Sequence, residues 1–189
     1  GTSEMSIIMS QDPFVAQLAE LCRAESSRAK WIFVPTHAIG LTLGDRLARE
    51  NCDWANLRFV TPFDIAVRMA APFLVERGLD PSEESLGPAL IMSLLLGLPE
   101  QGGYFRPMAQ HTSMAGALWH AVRELRGASV RAADLPGSAF ASPAKHAELV
   151  ALITAYERHL DQAHIADVAD VFREAMAHME WCPIAADES

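Results

Sequence analysis

The sequence predicts a mixed α/β protein: a small lobe with a parallel sheet over residues 1–80, then an all-helical lobe over residues 81–189. Two short apolar runs, Trp31–Val34 and Leu57–Val60, each lead into a polar turn and then into helical sequence, the alternation expected of parallel strands with crossover helices. Beyond Asp80 the apolar residues follow helical spacing alone. Half of the 189 residues are hydrophobic, enough to build a real core rather than a disordered chain.

Taken in order, Asp12-Pro13 starts the first helix, with an N-cap side chain followed by proline at the first helical position. Phe14, Leu18, Leu21 and Cys22 form its expected apolar stripe. Trp31–Val34 reads as a strand buried on both faces. The next helix carries Ile39, Leu43 and Leu47 at four-residue steps, with Gly40 and Gly44 beside them. Glycine costs a helix about 1 kcal/mol against alanine, so two on one side imply a close approach to the sheet backbone. Leu57–Val60 is the second strand, and Phe63–Arg77 the helix after it. Ser6–Met9 is a candidate third strand. A sheet this small leaves open edges, and the start at Gly1-Thr2 lacks an initiator methionine, so the chain reads as a segment of a longer protein.

In the second lobe Gly87-Pro88 opens a helix through Leu98, and Pro99, Gly102 and Gly103 mark the break after it. Met108–Arg126 is helical, with Met114, Leu118, Ala121, Val122 and Leu125 on one face. Ser142-Pro143 restarts a helix with the stripe Leu149, Leu152, Ile153, Tyr156 and Leu160. Asp167 caps a last helix that turns Val168, Val171, Phe172 and Ala175 inward.

Composition excludes several functions. A net charge of −9 argues against bulk electrostatic grip on nucleic acid. Lys30 and Lys145 are the two lysines, and neither stands in a Gly-Lys-Ser/Thr run, so the chain has no Walker-type ATP site. Cys22, Cys52 and Cys182 are far apart, with no zinc spacing, which suits a reducing cytoplasm. The apolar run Ala89–Leu98 is too short to span a bilayer, and no signal peptide is evident. Neither metal nor cofactor is expected: His159, Asp161 and His164 do not converge at their spacing, and His120 with Glu124 matches an ordinary helix-face pair. No G-x-S-x-G run or activated cysteine supports a catalytic nucleophile. Asp167 and Asp170 are read as a helix cap and a dipole-favourable acid rather than a catalytic pair, and Glu83-Glu84 as a helix-start or solvent feature. The four tryptophans are read as core or interface residues.

What remains is Pro35-Thr36-His37 and Thr61-Pro62-Phe63, at the carboxyl ends of adjacent strands, where open α/β sheets place ligands. Each threonine admits two readings, a helix cap or part of an anion site.

These residues also carry a resemblance. WIFVPTHAIGLTLGDRLA resembles motif Ia of superfamily I helicases, a strand, turn and helix that contact single-stranded DNA phosphates. LRFVTPFDIAVRMA is similar to the threonine–phenylalanine motif that follows it. WHAVRELRGASVRAADL looks like the helical insertion of those helicases, and AELVALITAYERHLDQAHIADVADVFREA like a later tyrosine helix leading to an Asp-x-x-Asp helix. Order and spacing match along nearly the whole chain. The likeness is greatest to the inactivated helicase-like region of AddB-type subunits of ATP-dependent nucleases, where an Asp-Pro-Phe helix start stands in place of the Walker loop, as Asp12-Pro13-Phe14 does here.

The resemblance implies a P-loop-NTPase-like helicase lobe without a Walker A loop, and hence without ATP hydrolysis or nuclease chemistry in these residues. It places Thr36, His37, Thr61 and Phe63 at DNA phosphates or bases, with Phe63 open to either base stacking or core packing. The expected role is non-catalytic, guiding single-stranded DNA or scaffolding a helicase–nuclease partner subunit in DNA recombination and repair. Two competitors stand beside it: an interaction domain without DNA contact, and a small α/β enzyme that binds an anionic metabolite at the threonine turns, with His37 as its titratable group.

Overall fold

The structure is a computed structural model and describes residues 12–99, 103–109 and 111–184. It divides into two compact units, one reaching Ile65 and the other beginning at Ala66, so the division falls inside the helix Pro62–Glu76. The candidate strand Ser6–Met9 lies outside the described residues.

The first unit contains α1 (Pro13–Ala24), β1 (Lys30–Phe33), α2 (His37–Arg49), β2 (Leu57–Val60) and the start of α3 (Pro62–Glu76). The two strands are parallel, with Lys30 opposite Leu57 and Phe33 opposite Val60; the Val34 amide extends the ladder to the Val60 carbonyl at 2.9 Å. Val15, Leu18, Ala19 and Cys22 of α1 form a core with Leu47, Cys52 and Leu57, joined at its edge by Ile32, Trp54 and Phe59. The α1 stripe is therefore rotated from the expected one: Val15 and Ala19 turn inward, while Phe14 and Leu21 are exposed. Small Ala19 lets that face sit close to its neighbours, which hydrophobicity alone does not reveal.

β1 is not buried on both faces. Ile32 belongs to the core face, but Phe33, which points to the opposite face, is 53% exposed. Gly40 and Gly44 do mark a close approach, but to aromatic side chains rather than to sheet backbone. A Cβ on Gly40 would lie 2.8 Å from Phe59 Cβ, and one on Gly44 would lie 3.0 Å from the Trp54 ring. Both glycines are buried and let α2 lie down on β2 and its preceding turn.

The second unit takes the rest of α3 and then α4 (Pro88–Gly97), α5 (Thr112–Gly127), α6 (Pro143–Ala163) and α7 (Val168–Ala177). Met108, expected to begin the α5 helix, instead ends a separate short 3-10 turn, Arg106–Met108, and α5 starts at Thr112. Pro107 lies in that turn, where its ring suits a helix start but not a helix interior. Leu149, Leu152, Ile153, Tyr156 and Leu160 of α6 form the inner stripe as expected, and Ile91, Leu95, Leu118 and Val122 complete the core around it. Glu148 is buried beside this core and accepts a hydrogen bond from the Phe105 amide at 2.5 Å, tying the loop before α5 to α6. Phe73 of α3 stacks on His178 at 3.5 Å between centroids, and Arg77 pairs with Glu174, which fastens α3 to α7. Among the described residues no helix is long and apolar enough to cross a membrane.

Adding one methyl group tests the α2 contact. Gly40→Ala should destabilise the first unit by about 1–3 kcal/mol despite its better helix propensity, because Phe59 Cβ is part of a strand and cannot yield. Gly116→Ala, in α5 where a Cβ meets nothing within 4 Å, should stabilise by about 0.5–1 kcal/mol. Urea unfolding of the two variants checks both signs.

Candidate functional site

The two threonine turns lie where the parallel strands end. Thr36 is the N-cap of α2, in extended backbone, and its Oγ1 accepts from the Ile39 amide at 3.4 Å. Thr61 makes a tighter, reciprocal cap on α3. Its Oγ1 accepts from the Asp64 amide at 3.2 Å, and its own amide donates to Asp64 Oδ2 at 2.7 Å. This is a capping box with aspartate in the third helical position.

Asp64 is the residue that the sequence reading missed, although the Thr-x-x-Asp spacing was visible. Its other oxygen, Oδ1, faces His37 Nε2 at 3.3 Å, so one carboxylate joins the two turns. Burial acts to raise the Asp64 pKa; the Thr61 amide and hydroxyl, together with His37, outweigh it and hold the carboxyl below its ordinary value. His37 itself is two-thirds exposed, and Phe63 is half-buried at the first turn of α3. Thr36, His37, Thr61 and Phe63 thus share one sheet end, with Thr61 and His37 joined directly through Asp64.

Electrostatics here oppose a phosphate. The first amides of a helix attract anions, but the α3 terminus already holds the Asp64 carboxylate. The start of α1 is closed in the same way: Asp12 Oδ1 accepts from the Phe14 amide at 3.1 Å, and Oδ2 pairs with Arg46 at 3.0 Å.

A second constellation lies within the helical unit. Asp167, the N-cap of α7, is buried and accepts from the Asp170 amide at 3.0 Å. Arg126 of α5 binds Asp167 through Nε at 3.0 Å and Asp170 through Nη2 at 3.0 Å, with Glu157 of α6 at 3.7 Å. The Tyr156 hydroxyl of α6 donates to Asp167 at 3.3 Å. Burial disfavours the Arg126 charge, but the hydrogen bonds and charges of its carboxylate partners more than restore it and raise its pKa. Burial likewise opposes ionisation of Asp167, and Arg126 overcomes it, leaving the carboxyl below its ordinary value. Burial pushes the Tyr156 phenol upward, and the Asp167 charge pushes it further, so it stays a donor. The shifts of Arg126, Tyr156 and Asp167 each favour the charge state that the group ordinarily has near neutral pH, which suits a structural clamp.

Asp167 and Asp170 are therefore the cap and dipole-favourable acid expected of them, joined to an arginine whose role the sequence did not disclose. Glu83, read from sequence as a helix-start or solvent feature, lines a cleft beside this clamp and lies 3.7 Å from Arg123. His120 and Glu124 form an exposed pair at 3.1 Å. Cys22 is buried next to Cys52, and burial first, then that neighbour, raises its thiol pKa, the reverse of an activated nucleophile. Among the described residues no group of three or more His, Cys, Asp or Glu side chains is placed to hold a metal ion.

Two outcomes follow from the clamps. Arg126→Met should cost about 3–5 kcal/mol by leaving buried carboxylates unpaired, while the double variant Arg126→Met/Asp167→Asn, which keeps a capping oxygen, should recover part of that loss; thermal unfolding in a double-mutant cycle measures both. Asp64 and Asp167 both have pKa values depressed on folding, so their stabilisation is complete above the unfolded carboxylate range and is lost as pH falls below about 4. Stability measured between pH 7 and 2 should fall less steeply in Asp64→Asn and Asp167→Asn than in the parent.

No protein-family model matches the chain, and no curated protein matches it.

Proposed function

We propose that this chain is a non-catalytic segment of a cytoplasmic DNA recombination and repair protein of the helicase–nuclease kind, serving to scaffold a partner subunit. The ordered likeness of its four segments to an inactivated superfamily I helicase region supports the setting. The observation that carries the scaffolding role is the Thr61–Asp64 capping box with His37, which puts a carboxylate at the sheet end where a helicase would hold a DNA phosphate. The Asp12 cap does the same at the helix start that stands in place of a Walker loop. An overall charge of −9 adds to the repulsion. A metabolite-binding enzyme is disfavoured, because its titratable group, His37, is two-thirds exposed and already paired with Asp64.

One observation favours the strand-guiding alternative. Thr36 is exposed, and its capping bond is long at 3.4 Å, so its hydroxyl is the more readily surrendered of the two.

Fluorescence anisotropy with a labelled oligothymidylate separates these roles. The parent chain should show no saturable binding at about 100 μM, an affinity weaker than roughly −5.5 kcal/mol. Asp64→Asn, which removes the blocking charge, should bring binding into range with a steep salt dependence. Micromolar, salt-dependent binding by the parent, weakened in Thr36→Ala/Thr61→Ala, would instead assign the chain to strand guiding.

A further inference from the structure

Beside the Arg126 clamp the helical unit has a cleft of about 360 Å³, within the size range of ligand and side-chain pockets. Its walls are mainly apolar: Trp119 of α5, and Val168, Phe172 and Met176 of α7. The acids that reach it are withdrawn. The Asp167 side chain is 6% exposed and held by Arg126, and the Glu83 side chain is 29% exposed. Burial raises the Glu83 carboxyl above its ordinary value, with Arg123 opposing and Asp167 assisting.

The accessible charges at the rim are cationic. The Arg123 side chain is 45% exposed and the Arg173 side chain 55% exposed. Arg123 lies over the Trp119 ring at 5.5 Å from the centroid, and its ion pair with Glu83 is a long 3.7 Å. Arg173 spends Nη1 on Asp170 at 2.6 Å and has further N–H donors. Each arginine is paired with an acid of the cleft's surroundings, but the arginines are the more exposed partners, so an apolar cleft rimmed by them is complementary to an apolar anchor flanked by acids.

We infer that this cleft docks a peptide segment in which an aromatic side chain is flanked by carboxylates, the ring entering between Trp119 and Phe172 and the acids meeting Arg123 and Arg173. Because the protein as a whole repels acidic peptides, affinity must come from the cleft itself. Nothing in the proposal depends on the strand-end turns: all its residues belong to the helical unit, and it stands or falls separately from the DNA-repair assignment.

The test uses fluorescein-labelled, acetylated Glu-Asp-Phe-Asp-Glu and the whole chain at low salt, read by anisotropy. Saturable binding is expected. It should weaken roughly tenfold or more in Arg123→Glu and again in Arg173→Glu, with Arg123→Lys retaining most of it. Unchanged circular dichroism and thermal unfolding keep loss of binding distinct from loss of fold. Replacing the peptide phenylalanine with serine, or its acids with lysine, should abolish binding. The inference is overturned by absence of saturable binding, by equal binding to Arg123→Glu, or by equal binding of the serine peptide. Phenylacetate binding as tightly as the peptide would assign the cleft to a small molecule instead. Sedimentation showing dimers that Arg123→Glu dissociates would assign it to a second copy.

Discussion

The ion pair between Arg126 and Asp167 is the interaction on which the helical unit depends. α5 supplies the guanidinium, α7 supplies the carboxylate at its first turn, and α6 supplies Tyr156 from the middle of its inner stripe. Three helices thus meet at one buried charge, next to a core in which Leu152, Ile153 and Val122 are sealed from solvent. Replacing such a pair with apolar residues can be neutral, but removing one partner strands a charge, so the clamp fixes which turn of α7 faces which turn of α5.

The same device recurs at three helix starts. Asp12 caps α1 and pairs with Arg46; Asp64 closes α3 and pairs with His37; Asp167 caps α7 and pairs with Arg126. Each carboxylate accepts from a backbone amide at the helix start and complements the helix dipole, and each is in turn held by a basic side chain from another element. A helix start built this way is stable without a ligand. It is also closed to one, since a phosphate would have to displace a carboxylate already paired and hydrogen-bonded. That closure is the physical basis for the proposal that the αβαβα arrangement serves as a scaffold rather than as a phosphate-handling site.

Much of this was legible in the sequence. Asp12-Pro13, Ser142-Pro143 and Asp167 announced their helices because capping is local chemistry, encoded within three residues. The α6 stripe was legible because a long helix repeats its period often enough to be unambiguous. The inward face of α1 was not: Ala19 and Val15 outrank the larger Phe14 and Leu21 because small residues fit a close contact. The exposure of Phe33 depends on what covers the second face of the sheet that β1 and β2 form, which four residues of strand cannot encode. At the sheet end both threonines were legible, but a Thr-x-x-Asp spacing does not by itself show that the Asp64 carboxylate turns back to the Thr61 amide. Arg126 was one arginine among many; only folding brings it to carboxylates more than forty positions away along the chain, at separations of 41 and 44 residues.

Amide hydrogen exchange at Thr61 and Asp64, followed residue by residue by NMR near neutral pH, tests the closure of the sheet end most directly. The account predicts that both amides are strongly protected, each held by its partner in the reciprocal cap, and that Asp64→Ala releases Thr61 while leaving the β1–β2 ladder protected. Exchange of both amides at the rate of an unfolded chain, with the ladder intact, would contradict it: the turn would then stand open, with its N–H groups free for a phosphate.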